Sequence, residues 1–91
     1  MKKRVECNIT GRVQMVMFRD FTKRHARRLE LAGLVKNNAD GSVTVIAEGE
    51  ENILHLLLQK LKKGPLLARV DRIDSRWKEP RGDFSQFDIV Y

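Results

Sequence analysis

Only one cysteine, Cys7, stands in the 91-residue chain, so no intrachain disulfide can form. Its His and Cys residues lack the paired spacing of a zinc site, and no acidic cluster suggests a metal. Neither a metal nor an organic cofactor is expected. No apolar run approaches the roughly 20 residues that span a bilayer. The stretch Val5 to Thr10 follows a basic start, Met1-Lys2-Lys3-Arg4, but is too short and too polar for a signal-peptide core. A cytoplasmic protein without a membrane partner is expected. No serine lies in a nucleophile-elbow pattern. No Gly-Lys-Ser/Thr closes a Walker loop, and Gly11 lacks the two further glycines of a dinucleotide loop.

What remains is a small, charged chain. Its 42% apolar and 33% charged residues fit one globular domain with one core, spanning residues 1–91. The net charge of +6 favours anionic partners: nucleic acid, acidic lipid or a small phosphorylated substrate. Val5, Cys7 and Ile9 alternate with polar residues, which predicts a strand with one buried face and places Cys7 inward. Phe18, Phe21, Ala26 and Leu29 follow at helical spacing, with Gly33 as the expected stop. Leu34 to Asn37 and Val43 to Ala47 flank Asn38-Ala39-Asp40-Gly41, which reads as a hairpin. Gly49 ends it. A second helix opens with Glu50 and Glu51 and carries Ile53, Leu54, Leu57, Leu58 and Leu61 toward Lys60, Lys62 and Lys63, as the helix dipole prefers. Gly64-Pro65 stops it. Leu67 to Trp77 reads as a strand whose apolar phase shifts between Val70 and Ile73, the mark of a bulge. Phe87, Ile89 and Tyr91 form a last alternating run. The order is βαββαβ with a short fifth strand: an α+β, ferredoxin-like sandwich, an antiparallel sheet with two helices on one face.

The stretch Gly11-Arg12-Val13-Gln14-Met15-Val16-Met17-Phe18-Arg19 joins the first strand to the first helix. Helix-start N–H groups have no intrahelical partner, and the dipole there favours negative charge. Arg19 adds a planar cationic fork suited to phosphate oxygens. Two readings of Arg19 stay open on the residues alone, a solvated surface arginine and a phosphate ligand. Asn37 shares the phase of Val35 on the packed side, so its amide needs a partner. It is either bonded to the hairpin turn or aimed at a ligand or a water. His25 and His55 lack spaced carboxylate or cysteine partners and read as helix-surface residues. Leu56 lies outside the apolar stripe and reads as singly exposed. The basic face of Lys23, Arg24, Arg27 and Arg28 reads as solvated. The absence of a general base also points to a substrate needing little help. A carboxyl–phosphate anhydride fits, because a carboxylate with a conjugate-acid pKa of roughly 4 leaves without a general acid.

Gly11-Arg12-Val13-Gln14, then Val16 and Phe18-Arg19, resembles the acylphosphatase signature. Leu34-Val35-Lys36-Asn37 followed by Asp40-Gly41-Ser42-Val43 resembles its second motif. Gly64-Pro65-Leu66-Leu67-Ala68-Arg69-Val70 and Phe87-Asp88-Ile89 resemble its later landmarks, so the similarity covers essentially the whole chain. The resemblance implies metal-free hydrolysis of acyl phosphates to a carboxylate and inorganic phosphate. It implies Arg19 as phosphate-binding arginine, the backbone of Gln14, Met15, Val16, Met17, Phe18 and Arg19 as phosphate loop, and Asn37 as the residue that orients water. It also implies a small-molecule substrate and a monomer.

The family usually has glycine where this chain has Met15. If the backbone there needs positive φ, methionine costs on the order of 1–2 kcal/mol. Its side chain could also crowd the pocket. Either the loop needs only negative φ, methionine is tolerated and activity survives, or the cradle is distorted and the chain is a weak or non-catalytic anion-binding domain. A nucleic-acid module on the same scaffold stacks bases on exposed sheet aromatics. With 7% aromatic residues and no Lys/Arg-Gly-Phe/Tyr run, RNA is not the expected partner.

Overall fold

The computed structural model describes residues 1–91. Seven elements follow one another: β1 (Lys2–Arg12), α1 (Phe18–Arg28), β2 (Ala32–Asn37), β3 (Val43–Glu50), α2 (Glu51–Lys63), β4 (Arg69–Lys78) and β5 (Phe87–Val90). They build one sheet in the order β4-β1-β3-β2-β5. The units β1-α1-β2 and β3-α2-β4 each leave room for a strand of the other, which is the split βαβ arrangement. The first four strands pair antiparallel with their neighbours, as the alternation predicts. The short β5 is the exception and lies parallel to β2, making the sheet mixed at one edge.

Strand alternation decides what is covered. Val5, Cys7 and Ile9 of β1, Val35 of β2, and Val43, Val45 and Ala47 of β3 all face the helices. Phe18 and Ala26 of α1 and Leu54, Leu57 and Leu61 of α2 close over them. Each large aliphatic or aromatic side chain buried this way contributes about 1.5–3 kcal/mol before ordering costs. Cys7 is buried, as expected, and burial raises its thiol pKa. Leu56, half a turn away from the stripe, is exposed.

Several boundaries differ from the sequence expectation; Gly49, for one, lies inside β3, which runs on to Glu50. The first helix stops before Gly33: Glu30 takes φ 57° and serves as the left-handed residue. The Glu30 N–H donates to Arg27 O at 3.0 Å and the Leu31 N–H to Ala26 O at 3.0 Å, a Schellman closure made without glycine. Gly33 instead lies within β2, where an added Cβ would sit 1.9 Å from Ile46 O. Close approach of β3 is what requires glycine there. A further boundary is at α2, whose first helical residue is Glu51; Glu50 is the extended N-cap and pairs with the amino group of Met1.

The bulge expected in the fourth strand is present. Thr10 pairs with Arg72 and Gly11 with Val70, which leaves Asp71 as the extra residue. The expected start at Leu67 moves to Arg69, because Leu66 and Leu67 lie in a turn.

At the end of the sheet where β1 begins, charge is knotted. The Arg4 guanidinium is buried; it donates to Glu48 Oε2 at 2.7 Å and to Glu6 Oε2 at 2.8 Å. Phe84 lies over it at 5.3 Å. Glu48 also accepts the backbone N–H groups of Arg81 and Gly82, both at 3.0 Å, and so clamps the loop between β4 and β5. Burial alone would raise the Glu48 pKa, but the Arg81 N–H, the Arg4 guanidinium and the Gly82 N–H outweigh it and hold the carboxyl below its ordinary 4.5. A depressed folded-state pKa gives stability that is complete above the unfolded value and lost as pH falls through the folded one. Glu48→Gln is therefore expected to destabilise the protein by about 3 kcal/mol at neutral pH. It should also flatten the loss of stability below pH of about 4.5, as read by urea unfolding across pH.

Candidate functional site

The C-terminal ends of β1, β2 and β5 meet the N-terminus of α1 at the other end of the sheet. There the chain between β1 and α1 is pegged into the core by Val13 and Phe18, both buried, with Val16 packed against it. Between the pegs, Met15 and Met17 adopt the left-handed conformation, at φ 62° and 65°. Left-handed residues alternating along a short segment gather consecutive N–H groups into an anion-holding concavity. No backbone N–H from Gln14 through Asp20 donates to a protein acceptor. The first helical bond is the one from Phe21 N–H to Met17 O, at 3.0 Å, and the N-cap Met17 supplies no side-chain cap.

Gln14 fixes the position of this loop. Its Nε2 donates to Asn38 O and to Ser42 O, both at 2.8 Å, which fastens the loop to the β2–β3 hairpin. The hairpin is braced in turn. Asn38 Nδ2 donates to Ser42 Oγ and Thr44 Oγ1, both at 2.9 Å, and Asp40 Oδ1 accepts the Ser42 N–H at 3.0 Å. So the side chain of Gln14 belongs to the scaffold, and only its backbone faces the concavity.

Asn37 is the last residue of β2, directly before that braced turn. The hairpin bonds are made by Gln14, Asn38 and Asp40, and Asn37 takes no part in them. Its Oδ1 is buried and alone among buried side-chain polar atoms in having no protein hydrogen-bond partner. Leaving such an acceptor unpaired costs about 1–3 kcal/mol. The reading in which the hairpin satisfies Asn37 does not hold for this oxygen.

Arg19, half-buried at the start of α1, forms no ion pair, although Asp20 follows it. Its guanidinium carbon lies 4.9 Å from the ring centroid of Tyr91, a cation–π contact that leaves the fork's N–H donors free. Arg19, Asn37, Met15, Met17 and Phe18 line one cleft of about 350 Å³, together with Val13, Asp20, Ile89 and Tyr91. The structure thus joins the residues the sequence singled out, with Gln14 and Val16 turned into the scaffold. It adds Ile89 and Tyr91, which the sequence placed on a strand but not at this mouth. No three His, Cys, Asp or Glu side chains come together in a metal-holding group.

The electrostatic surroundings of the histidines set them apart from the cleft. His25 packs on Phe21 at 4.4 Å between centroids, and its pKa is lowered by burial and by Lys60, Arg28 and Arg24. His55 stacks on Trp77 at 4.8 Å. Both act as helix-surface residues, as expected.

Met15 has the positive φ that disfavours methionine, yet its side chain is 99% exposed and does not fill the cleft. Relief of a left-handed strain of about 1–2 kcal/mol, less the extra unfolded-state entropy of glycine, should make Met15→Gly about 1 kcal/mol more stable. Acyl phosphate turnover should stay within about threefold of wild type, because the same backbone shape is retained. Thermal unfolding and an initial-rate assay of the pair test both.

A family model described as acylphosphatase matches residues 5–89. An acylphosphatase from Salinibacter ruber is 46% identical over 88 residues, covering 97% of this chain and 93% of that protein. Another from Geobacillus thermodenitrificans is 40% identical and covers 98% and 95%. The crystal structure of acylphosphatase from Bacillus subtilis superposes with a TM-score of 0.95 at 36% identity, over 98% of this chain and 99% of that one. A free arginine at a helix start, a cradle of unpaired N–H groups and an asparagine with an open acceptor thus sit on a backbone shared with these proteins from end to end: the chain belongs to the acylphosphatase family, hydrolases of acyl phosphates.

Proposed function

We propose that Arg19, the backbone N–H groups from Gln14 to Asp20 and the Asn37 side chain carry the hydrolysis of acyl phosphates in this chain. The phosphoryl group settles in the N–H cradle at the start of α1, where dipole and donors both favour an anion. Arg19 grips two of its oxygens with its fork and offsets charge that shifts during transfer. Asn37 Oδ1 accepts a hydrogen from the attacking water and turns a lone pair toward phosphorus.

The water oxygen bonds to phosphorus as the bond from phosphorus to the acyl oxygen breaks. The acyl group leaves as a carboxylate with the bonding pair. One water proton stays on the new P–OH and the other passes to a phosphate oxygen, so the products are the carboxylate and dihydrogen phosphate. The leaving group is a weak base with a conjugate-acid pKa of roughly 4, so the reaction needs no general acid. Charge compensation comes from the arginine and the amides, and the proposed step includes no metal. The cleft draws on the β1–α1 loop, α1, β2 and β5 of one chain, in keeping with a single domain acting as a monomer on a small-molecule substrate.

The observation that carries this reading is the unpaired Asn37 Oδ1 in the same cleft as an arginine without a counter-ion. With benzoyl phosphate as substrate, Arg19→Ala is expected to lower kcat/KM by about 10³ or more. Arg19→Lys should recover only a small part, since the fork is gone. Asn37→Ala should lower kcat by about 10² while the inhibition constant of inorganic phosphate moves less than about threefold. Unimpaired hydrolysis by Arg19→Ala would overturn the assignment.

A further inference from the structure

The segment between α2 and β4 does not follow ordinary turn chemistry. The Ala68 N–H donates to Pro65 O at 3.0 Å, which closes a turn with Leu66 and Leu67 at its two central positions. Such positions usually hold Gly, Asn, Asp or Ser. Here the two leucines stand 97% and 71% exposed. The turn adjoins the phosphate loop: β4 starts at Arg69 opposite Arg12, and Gly64 packs so closely on Phe18 that an added Cβ would lie 3.2 Å from its ring. At the same end Met15 and Met17 are 99% and 68% exposed. Four large apolar side chains are therefore held outward on two adjoining loops, one of them a hydrogen-bonded turn.

The charges around them differ from those at the opposite end. Lys3, Arg4, Lys78 and the amino terminus are matched with carboxylates there, and Lys2 and Arg81 are left without an ion pair. At the loop end Arg12, Lys60, Lys62 and Lys63 form no ion pair, whereas Arg69 and Arg72 each pair with a carboxylate two residues on, Asp71 and Asp74. The three lysines sit in the last turn of α2, immediately behind the leucine tip.

We infer that this end of the molecule docks on an anionic lipid surface, with Leu66 and Leu67 entering the acyl boundary and Lys60, Lys62 and Lys63 lying among the headgroups. The spatial order decides the occupant. A convex apolar tip with unpaired cations behind it matches a surface whose apolar layer lies beneath an anionic one. A nucleic acid offers phosphates but nothing to bury leucine. No helix is long and apolar enough to cross a membrane, and surface docking needs none. Docking would present the mouth of the phosphate cleft to the headgroup layer, and it does not depend on the roles assigned to Arg19 and Asn37.

At low ionic strength the wild-type protein is expected to co-sediment with vesicles of phosphatidylglycerol and phosphatidylcholine in equal parts, and not with phosphatidylcholine alone. Leu66→Ser combined with Leu67→Ser should lower the partition coefficient about tenfold or more. Without vesicles, that variant should hydrolyse benzoyl phosphate within about twofold of wild type, which shows that it is folded. Lys62→Gln with Lys63→Gln should lower partitioning roughly tenfold or more, as should added salt for the wild type. Wild-type protein that stays in the supernatant with the mixed vesicles overturns the proposal. Partitioning untouched by the leucine changes, with heparin or duplex DNA competing fully, overturns it too, because that is the behaviour of a site reading charge alone.

Discussion

The functional end of this molecule depends on one constraint, the fixing of the β1–α1 chain at both ends while its middle is kept out of any ladder. Val13 and Phe18 are sunk in the core, and Gln14 is tied to the hairpin by two bonds. Between these anchors the backbone turns left-handed twice. Each left-handed methionine is unfavourable by itself and persists only because its surroundings over-determine it. A relaxed loop would satisfy its N–H groups locally; this one leaves them without a protein acceptor.

The two ends of the sheet manage charge in opposite ways. Where β1 begins, Arg4, Glu6 and Glu48 are packed together, with Arg4 donating to both carboxylates and Glu48 also accepting from the Arg81 N–H. That knot orders the long β4–β5 connection and so delivers β5 to the edge beside β2. Where β1 ends, Arg19 is kept from carboxylates and Asn37 Oδ1 from donors. A satisfied network at one end thus supports an unsatisfied one at the other, at a distance set by the length of the strands.

Much of this was legible in the sequence, for identifiable reasons. Strict alternation in β1 and the apolar stripe of α2 report burial directly, and the phase shift before Ile73 reports the bulge opposite Gly11. Arg19 and Asn37 stood out because a fork at a helix start and an amide on a packed face each demand a partner. Other features were hidden because they depend on neighbours distant in sequence. The helix stop at Glu30 comes from backbone closure rather than residue preference. Gly33 looked like a cap, but its reason is Ile46 O on the neighbouring strand β3, which no local window contains. The Gln14 side chain had no role assigned from the sequence, because its partners lie on the hairpin, far along the chain. Tyr91 became a neighbour of Arg19 only through the parallel pairing of β5.

That short parallel strand has a further consequence. Phe87 is buried and its carbonyl accepts from Arg27 Nε at 2.9 Å, so β5 is held firmly where it starts. Its other end, with Val90 and Tyr91 exposed, has the sheet on one side only. Strand edges of this kind open by local unfolding at a fraction of the global free energy. The restraint on the Arg19 fork therefore belongs to the least cooperative part of the sheet. On warming, the arginine gains rotational freedom through fraying of β5 while the core beneath it is still intact, so the order of the site and the melting of the fold are separate transitions.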